Sequence, residues 1–440
     1  MLTSIMRRIT GRSFFATALF CAACLFAVAC SGGGNGTTAG GGGNTIKIGV
    51  YGPYTGGSSP MGLSMRDGVR LAADEINAKG GVLGKKIELV ERDDQATNER
   101  GAQVMQDLIS NEKVVAVLGP INTGVALASY KYPQQAKIPL LINVSAGAPV
   151  NDLFKESPDN YVFRIAANDF IQSDMIVAEA IEKRSYKKVA LLCDSTNYGQ
   201  SGHDKMLAAL KTRNVTPVSD DKFNLKDTDM TPQLQRAKDA GAEAVLVYGI
   251  GPELAAIANT MQKIGYKVPM IGGWTLSMSN FIDAAKENSD GAVAPLTFIQ
   301  NGATSEKAKK FVADYQKKSS TERIPVAVAA AQGYDSMYLI AQAIEQAGST
   351  DGAKIKAALE SLQKPYEGVI ATFGKPFSAT DHEAIHKDNV MMGVVKNGQV
   401  QPPETKAMGT AAGTTTTTTT TNSNTAAGSN SNNSNANGGK

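Results

Sequence analysis

Short, almost continuous apolar runs alternate along this chain with longer stretches whose apolar residues recur every three to four positions. The runs at 46–51, 87–92, 114–118, 140–143, 189–193, 244–248 and 292–298 predict β-strands. The stretches between them predict helices at about 60–79, 99–111, 170–183, 200–213, 231–240, 252–264, 304–318 and 328–347. The first helix is the clearest. Ser59 can cap it, Pro60 suits its first turn, and Val69, Ala72, Ala73 and Ile76 share a face. Gly80-Gly81 ends it, because glycine accepts the left-handed backbone of a helix stop. Strands that are apolar on both faces and separated by helices imply parallel sheets covered on both sides, an α/β architecture. No internal sequence repeat is visible, which leaves room for two lobes of similar build.

The two ends of the chain break this rhythm. Arg7, Arg8 and Arg12 precede an apolar run at 14–28, which closes in Ala27-Val28-Ala29-Cys30 and then Ser31-Gly32-Gly33-Gly34. A basic, apolar, small-residue order reads as an export signal, and the run is short for a membrane-spanning helix. A cysteine directly after the small residues resembles a bacterial lipobox. On that reading 1–29 is a lipoprotein signal peptide, Cys30 is the lipidated first residue of the mature chain, and 30–44 is a flexible Gly/Asn/Thr tether. At the other end, 408–440 is a Thr/Asn/Ser-rich tail with a Thr tract at 414–421. It offers too little apolar surface to offset the entropy of ordering, so a disordered tail is expected.

Composition narrows the function. The net charge is only +3, and no Lys/Arg cluster interleaves with aromatics, which argues against nucleic acid. Of four cysteines, Cys21, Cys24 and Cys30 lie in the signal region, so Cys193 has no partner for an intrachain disulfide and reads as a buried thiol. The remaining length suits about two domains. In open parallel sheets, ligands bind beyond the carboxyl ends of the strands. Those ends here are rich in Gly, hydroxyls, amides and aromatics: Gly52-Pro53-Tyr54-Thr55-Gly56, Gly119-Pro120-Ile121-Asn122-Thr123-Gly124, Asn143-Val144-Ser145-Ala146-Gly147, Asp194-Ser195-Thr196-Asn197-Tyr198-Gly199, Gly249-Ile250-Gly251-Pro252-Glu253 and Gly272-Gly273-Trp274-Thr275. Each alone is turn chemistry; six together at strand ends predict a binding site.

An ordered series of these segments resembles the leucine/isoleucine/valine-binding protein family. The series is Ile46-Lys47-Ile48-Gly49-Val50-Tyr51-Gly52-Pro53-Tyr54-Thr55-Gly56, Ala73-Asp74-Glu75-Ile76-Asn77-Ala78-Lys79-Gly80-Gly81, Asp93-Asp94-Gln95, Val117-Leu118-Gly119-Pro120, Phe163-Arg164, Asp194 with Tyr198-Gly199, Gly251-Pro252-Glu253 and Gly333-Tyr334-Asp335. The resemblance implies the type I periplasmic binding protein fold, a flytrap of two Rossmann-like α/β lobes joined by three crossovers near 164–168, 294–298 and 372–378. Lobe 1 would comprise 45–166 plus 297–374, and lobe 2 would comprise 167–296 plus 375–402. It further implies an extracytoplasmic, periplasmic solute-binding component of an ABC importer, acting as a monomer with a permease in the inner membrane, without catalysis, cofactor or metal. Carried over, the ligand site would be Asn122, Thr123, Ser145, Ala146 and Gly147 in the first lobe, and Tyr198, Ile250 and Trp274 in the second.

Two departures bear on the solute. The amino-acid binders usually carry a hydroxyl residue where this chain has Gly147. The leucine-type pattern has an aromatic residue at the Ile250 position and an acid, which pairs with the ligand ammonium, at the Trp274 position. A buried ammonium without a carboxylate costs several kcal/mol, of order 3, whereas an indole face returns only about 0.5–2 kcal/mol to a cation. Within the class of small amino-acid-like, carboxylate or amide solutes, an aliphatic or aromatic carboxylate or an amide is therefore expected over a standard α-amino acid, unless Glu253, Asp169 or Asp335 supplies the missing charge. Two other readings compete with import. One is an extracellular sensor of the same fold. The other is a zinc hydrolase through His382-Glu383-Ala384-Ile385-His386, a literal H-E-x-x-H that requires a helix and a third ligand. Its flanks, Thr380-Asp381 and Lys387-Asp388, are polar, and it follows the loop-like Gly374-Lys375-Pro376-Phe377.

Overall fold

The computed structural model describes residues 44–403, apart from 153, 154 and 156. The signal peptide, Cys30, most of the tether and the 408–440 tail expected from the sequence lie outside the described residues. Strands β1 (Thr45–Gly52), β2 (Lys86–Asp93), β3 (Ala116–Leu118), β4 (Leu140–Ile142) and β5 (Val162–Arg164) form an all-parallel sheet in the order β2-β1-β3-β4-β5. The next five are β6 (Val189–Asp194), β7 (Ser219–Phe223), β8 (Ala244–Tyr248), β9 (Met270–Gly272) and β10 (Val293–Leu296). They form a second parallel array in the order β7-β6-β8-β9-β10. The strand order is therefore the same in both lobes, although no sequence repeat betrays it.

After β10 the chain returns to the first lobe. Helix Ala327–Ala347 packs along helix Ser59–Ala78, and a small hairpin, β11 (Tyr366–Glu367) with β12 (Thr372–Phe373), follows. The chain then crosses once more. Strands β13 (Met391–Lys396) and β14 (Gln399–Gln401) extend the second sheet, with β13 antiparallel to β10. Alternating passage of strand and helix leaves the parallel strands covered on both faces, which is why β3, β4, β6 and β8 are buried along their whole length. Cys193 is a free, fully buried thiol in β6, and burial pushes its pKa up. No helix among the described residues is long and apolar enough to cross a membrane.

The first helix begins one residue earlier than its capping pattern suggests. Its N-cap is Ser58, whose side chain caps nothing. Instead the Ser58 hydroxyl accepts from Asn122 Nδ2 at 3.2 Å, which ties the helix start to the loop after β3.

Asp94, just beyond β2, is fully buried. Its Oδ1 accepts the Ala96 N–H at 2.8 Å, and its Oδ2 has no hydrogen-bond partner among the described residues. Burial pushes this carboxyl up to about 7. The folded chain then holds the proton more tightly than the unfolded one, so stability is lost as pH rises from the ordinary carboxyl range through about 7. Asp94→Asn removes that ionisation. Its stability relative to the parent is expected to rise by on the order of 2 kcal/mol between about pH 5 and about pH 8. Thermal unfolding at the two pH values checks this; an offset that does not change with pH contradicts it.

Candidate functional site

In each sheet the strand order reverses beside the first strand, between β1 and β3 and again between β6 and β8. Ligands of open α/β sheets bind beyond the carboxyl ends of the strands at such switch points. The eight residues read from the sequence lie there. Asn122 and Thr123 follow β3, while Ser145, Ala146 and Gly147 follow β4. In the second lobe Tyr198 follows β6, Ile250 follows β8 and Trp274 follows β9. Thr123, Ser145, Ala146, Tyr198, Ile250 and Trp274 are buried. The two groups face each other across contacts between the lobes. Ala148 N–H donates to Ser201 Oγ at 3.1 Å, and Asn280 Nδ2 donates to the Gly57 carbonyl at 3.0 Å.

On the first-lobe side, Asn122 is the N-cap of helix Thr123–Ser129, but its side chain caps nothing. Its Nδ2 is held by Ser58, and its Oδ1 is buried without a hydrogen bond among the described residues. Ser145 Oγ lies 3.4 Å from Thr123 Oγ1, which joins the two loops. Asn143, which the sequence does not single out, is fully buried, and neither its Oδ1 nor its Nδ2 has a partner among the described residues.

On the second-lobe side, Tyr198 lies in the first turn of helix Asn197–Thr212, where the Thr196 hydroxyl accepts its N–H. Its ring packs on Tyr248 with centroids 4.5 Å apart, and its hydroxyl has no hydrogen bond of normal geometry among the described residues. Ile250 is the N-cap residue of helix Gly251–Lys263. Trp274 opens a short 3₁₀ turn, its N–H donating to Gln172 Oε1 at 3.1 Å. Burial, reinforced by the charge of Asp169, pushes both tyrosines far above the usual phenol range, so they act as neutral hydroxyls.

The three acids weighed as substitutes for the missing carboxylate separate cleanly. Asp335 accepts from the Tyr366 hydroxyl and from the Val369 and Ile370 N–H groups, and it pins the β11–β12 hairpin. Glu253 accepts the Lys226 N–H at 2.6 Å. Asp169 alone sits at the junction of the two groups. It is fully buried, its N–H donates to the Ala146 carbonyl at 2.9 Å, and its Oδ1 accepts from the Tyr248 hydroxyl.

Residues 45–399 match the family described as periplasmic binding protein. The chain belongs to the periplasmic binding protein family. Among its relatives, "Leu/Ile/Val-binding protein homolog 3" of Brucella melitensis is 27% identical over 327 residues, which is 74% of this chain and 86% of that protein. A solved periplasmic binding protein type 1 from Bordetella pertussis Tohama I aligns with a TM-score of 0.74 at 28% identity, covering 82% of this chain and 100% of that one. The branched-chain amino acid transporter substrate binding protein LivJ from Streptococcus pneumoniae, in complex with isoleucine, aligns with a TM-score of 0.73 at 28% identity, covering 81% and 98%.

Gly147 of this binding protein has a local reason to lack the hydroxyl side chain of the amino-acid pattern. A Cβ there would stand 2.2 Å from Thr123 Cγ2 and 2.9 Å from its Oγ1. The methyl of Thr123 already fills that space. Gly147→Ala is expected to displace Thr123 and weaken solute binding about tenfold, the scale of a 1–3 kcal/mol overpacking cost. Thr123→Ser in the same chain removes the methyl and restores most of the affinity. Calorimetric titration of both variants checks the pair.

The H-E-x-x-H segment of the binding protein is not helical. It runs beside β5, with the Arg164 N–H donating to the His382 carbonyl and the Ala384 N–H to the Arg164 carbonyl, each at 2.8 Å. His382 is buried, stacked on Phe163 with centroids 3.9 Å apart, and its Nε2 faces Glu360 Oε1 at 3.1 Å. Glu383 pairs with the fully buried Arg164, whose NH1 donates to the Gly147 carbonyl at 2.7 Å. His386 is exposed, so the two histidines share no metal-binding face. No metal-binding group of His, Cys, Asp and Glu occurs among the described residues. A polar cavity of about 340 Å³ adjoins this segment, lined in part by Asp152, Asn160, Asn168, Phe170 and Asp381; none of the eight predicted site residues borders it.

Proposed function

We propose that this chain is the lipid-anchored, extracytoplasmic solute-binding component of an ABC importer. It captures one small amino-acid-like, carboxylate or amide solute between lobe 1 (45–166 plus 297–374) and lobe 2 (167–296 plus 375–402) and presents the closed form, as a monomer, to an inner-membrane permease. The observation that carries this reading is the convergence of both topological switch points on one seam. The seam holds buried polar atoms with no hydrogen bond of normal geometry among the described residues: Asn122 Oδ1, Asn143 Oδ1 and Nδ2, and the Tyr198 hydroxyl. Buried polar groups are normally paired, so a cluster of spare ones facing a seam fits a solute that completes them. Asn122, Thr123, Ser145, Ala146 and Gly147 hold the polar end, while Tyr198, Ile250 and Trp274 enclose the rest. Closure is the functional event, and the permease reads it through its different affinity for the open and closed forms.

A thermal-shift screen of amino acids, amides and small organic acids tests the reading, since a solute that binds only the folded chain raises its melting temperature by mass action. At about 100 times its dissociation constant, a solute adds about 2.7 kcal/mol. A flat response across the whole screen defeats the proposal. Cys30→Ala tests the tether separately: it is expected to release an exported soluble form with unchanged solute affinity, checked by fractionation and titration.

A further inference from the structure

We propose that Asn280 is a positioning residue for solute capture: its side chain latches the second lobe to the first, and through that latch it sets how slowly any solute leaves. The inference rests on the solute-binding reading above and adds to it the residue that holds the seam shut.

Three observations point the same way. First, Asn280 bridges the lobes. It belongs to helix Ser279–Ala285 of the second lobe, and its Nδ2 donates to the Gly57 carbonyl at 3.0 Å, just ahead of helix Ser59–Ala78 in the first. Ser58, the next residue, accepts from Asn122 Nδ2 at 3.2 Å, so the latch point is one residue from the anchor of a solute-site side chain. Second, Asn280 is seated on the second-lobe half of the site. The 3₁₀ turn that Trp274 opens runs through Met278 directly into the helix that carries Asn280. Its Oδ1 is buried without a hydrogen bond among the described residues and lies against Gly251, where a Cβ would stand 2.1 Å away. Gly251 follows Ile250 and starts helix Gly251–Lys263, whose positive end suits that oxygen. Asn122 on one side is thus joined to Ile250 and Trp274 on the other through a single interlobe hydrogen bond. Third, other bonds hold helix Ser279–Ala285 in place. The Ser279 N–H donates to the Pro325 carbonyl at 2.9 Å, and Arg323 Nη2 donates to both Asp283 carboxylate oxygens at 2.6 Å. Truncating Asn280 therefore removes the latch and leaves its helix moored. A receptor that closes after encounter binds in proportion to the fraction of closed form, so a weaker latch weakens every solute by one common factor.

The test is stopped-flow kinetics of the full-length chain, followed by the fluorescence of Trp274, its lone tryptophan. The probes are L-leucine, 4-methylpentanoate and 4-methylpentanamide, together with any further hit of the thermal-shift screen. Asn280→Ala is expected to raise the dissociation rate about fivefold for every probe that binds, the scale of one neutral hydrogen bond, and to leave the association rate within about twofold. The melting temperature of the solute-free chain is expected to stay unchanged. Asn280→Asp keeps the size, loses the donor and is expected to match Asn280→Ala. Gly251→Ala pushes Asn280 off its seat; it is expected to raise the dissociation rate by a similar factor in the parent and to add nothing in Asn280→Ala, where the seat is already empty. An unchanged dissociation rate in Asn280→Ala, or a loss confined to one of several binding probes, overturns the latch and leaves the solute-binding reading intact. Additive losses in the double variant also overturn it. A lower solute-free melting temperature with both rates altered overturns it as well and assigns Asn280 to structure alone. Silence from every compound sinks the solute-binding reading itself, and the latch with it.

Discussion

Glu383→Ala is expected to lower the stability of the folded chain by about 3–4 kcal/mol, read as a fall in the urea midpoint and melting temperature. The cause is Arg164. Its side chain is 2% exposed, and three of its nitrogens are held, two by Glu383 and one by the Gly147 carbonyl. Removing the carboxylate strands a guanidinium in the interior, which costs far more than the pair contributed while intact. The effect stays toward the lower end of the range because Glu383 is 20% exposed, so water reaches the vacated space. His386→Ala serves as the control. It loses only the contact of an exposed ring with the Asn389 N–H, worth about 1 kcal/mol or less. A catalytic zinc site predicts a different pattern: His386→Ala, which removes a ligand, loses stoichiometric zinc, whereas Glu383→Ala, which removes the general base, keeps the zinc and most of the stability. Finding that pattern would falsify the structural role given to this segment.

Gly333→Leu is expected to cost about 3 kcal/mol or more, and Gly68→Ala to destabilise as well, against the ordinary trend for helices. Gly68 lies in helix Ser59–Ala78 and Gly333 in helix Ala327–Ala347. A Cβ on Gly68 would stand 2.1 Å from the Ala330 carbonyl oxygen, and one on Gly333 would stand 2.3 Å from the Met65 carbonyl oxygen. Each helix thus rests its backbone on the other's, and any side chain must push two long elements apart. On an exposed helix, Gly→Ala stabilises by about 1 kcal/mol. The sign therefore decides the matter: if Gly68→Ala raises the melting temperature, the helices do not cross this closely. The contact also closes the discontinuous first lobe, because it joins a helix before the excursion into the second lobe to one after it.

The parts of this architecture legible in the sequence are those with enough residues to show a period. β1, β2, β6 and β8 are five or more residues long; β1, β6 and β8 announce themselves as apolar runs, and Ile87, Leu89 and Val90 mark β2 among charged neighbours. β3 and β4, of three residues each, show through the apolar runs at 114–118 and 140–143, whereas the equally short β5 ends in Arg164 and β9 lies between Pro269 and Gly273, which breaks their signal. β7 reads Ser-Asp-Asp-Lys-Phe because it lies at the sheet edge and buries only part of itself. The β13–β14 hairpin leaves a signal as well, the Asn397-Gly398 turn with both residues at positive φ, although it is absent from the strands predicted above. The segment around His382 misleads in a different way. Its flanks are polar, yet Ile385 is wholly buried, because a strand-like pairing has no need of a helical face. At the site, the Gly/hydroxyl loops were legible as turn chemistry at strand ends. The bond between Asp169 and Tyr248 was not, since the two residues lie 79 positions apart.

The backbone bonds between Arg164 and the 382–384 segment carry a mechanical consequence. The first and last passages between the lobes are stitched into one ribbon, so they flex as a unit instead of as separate ropes.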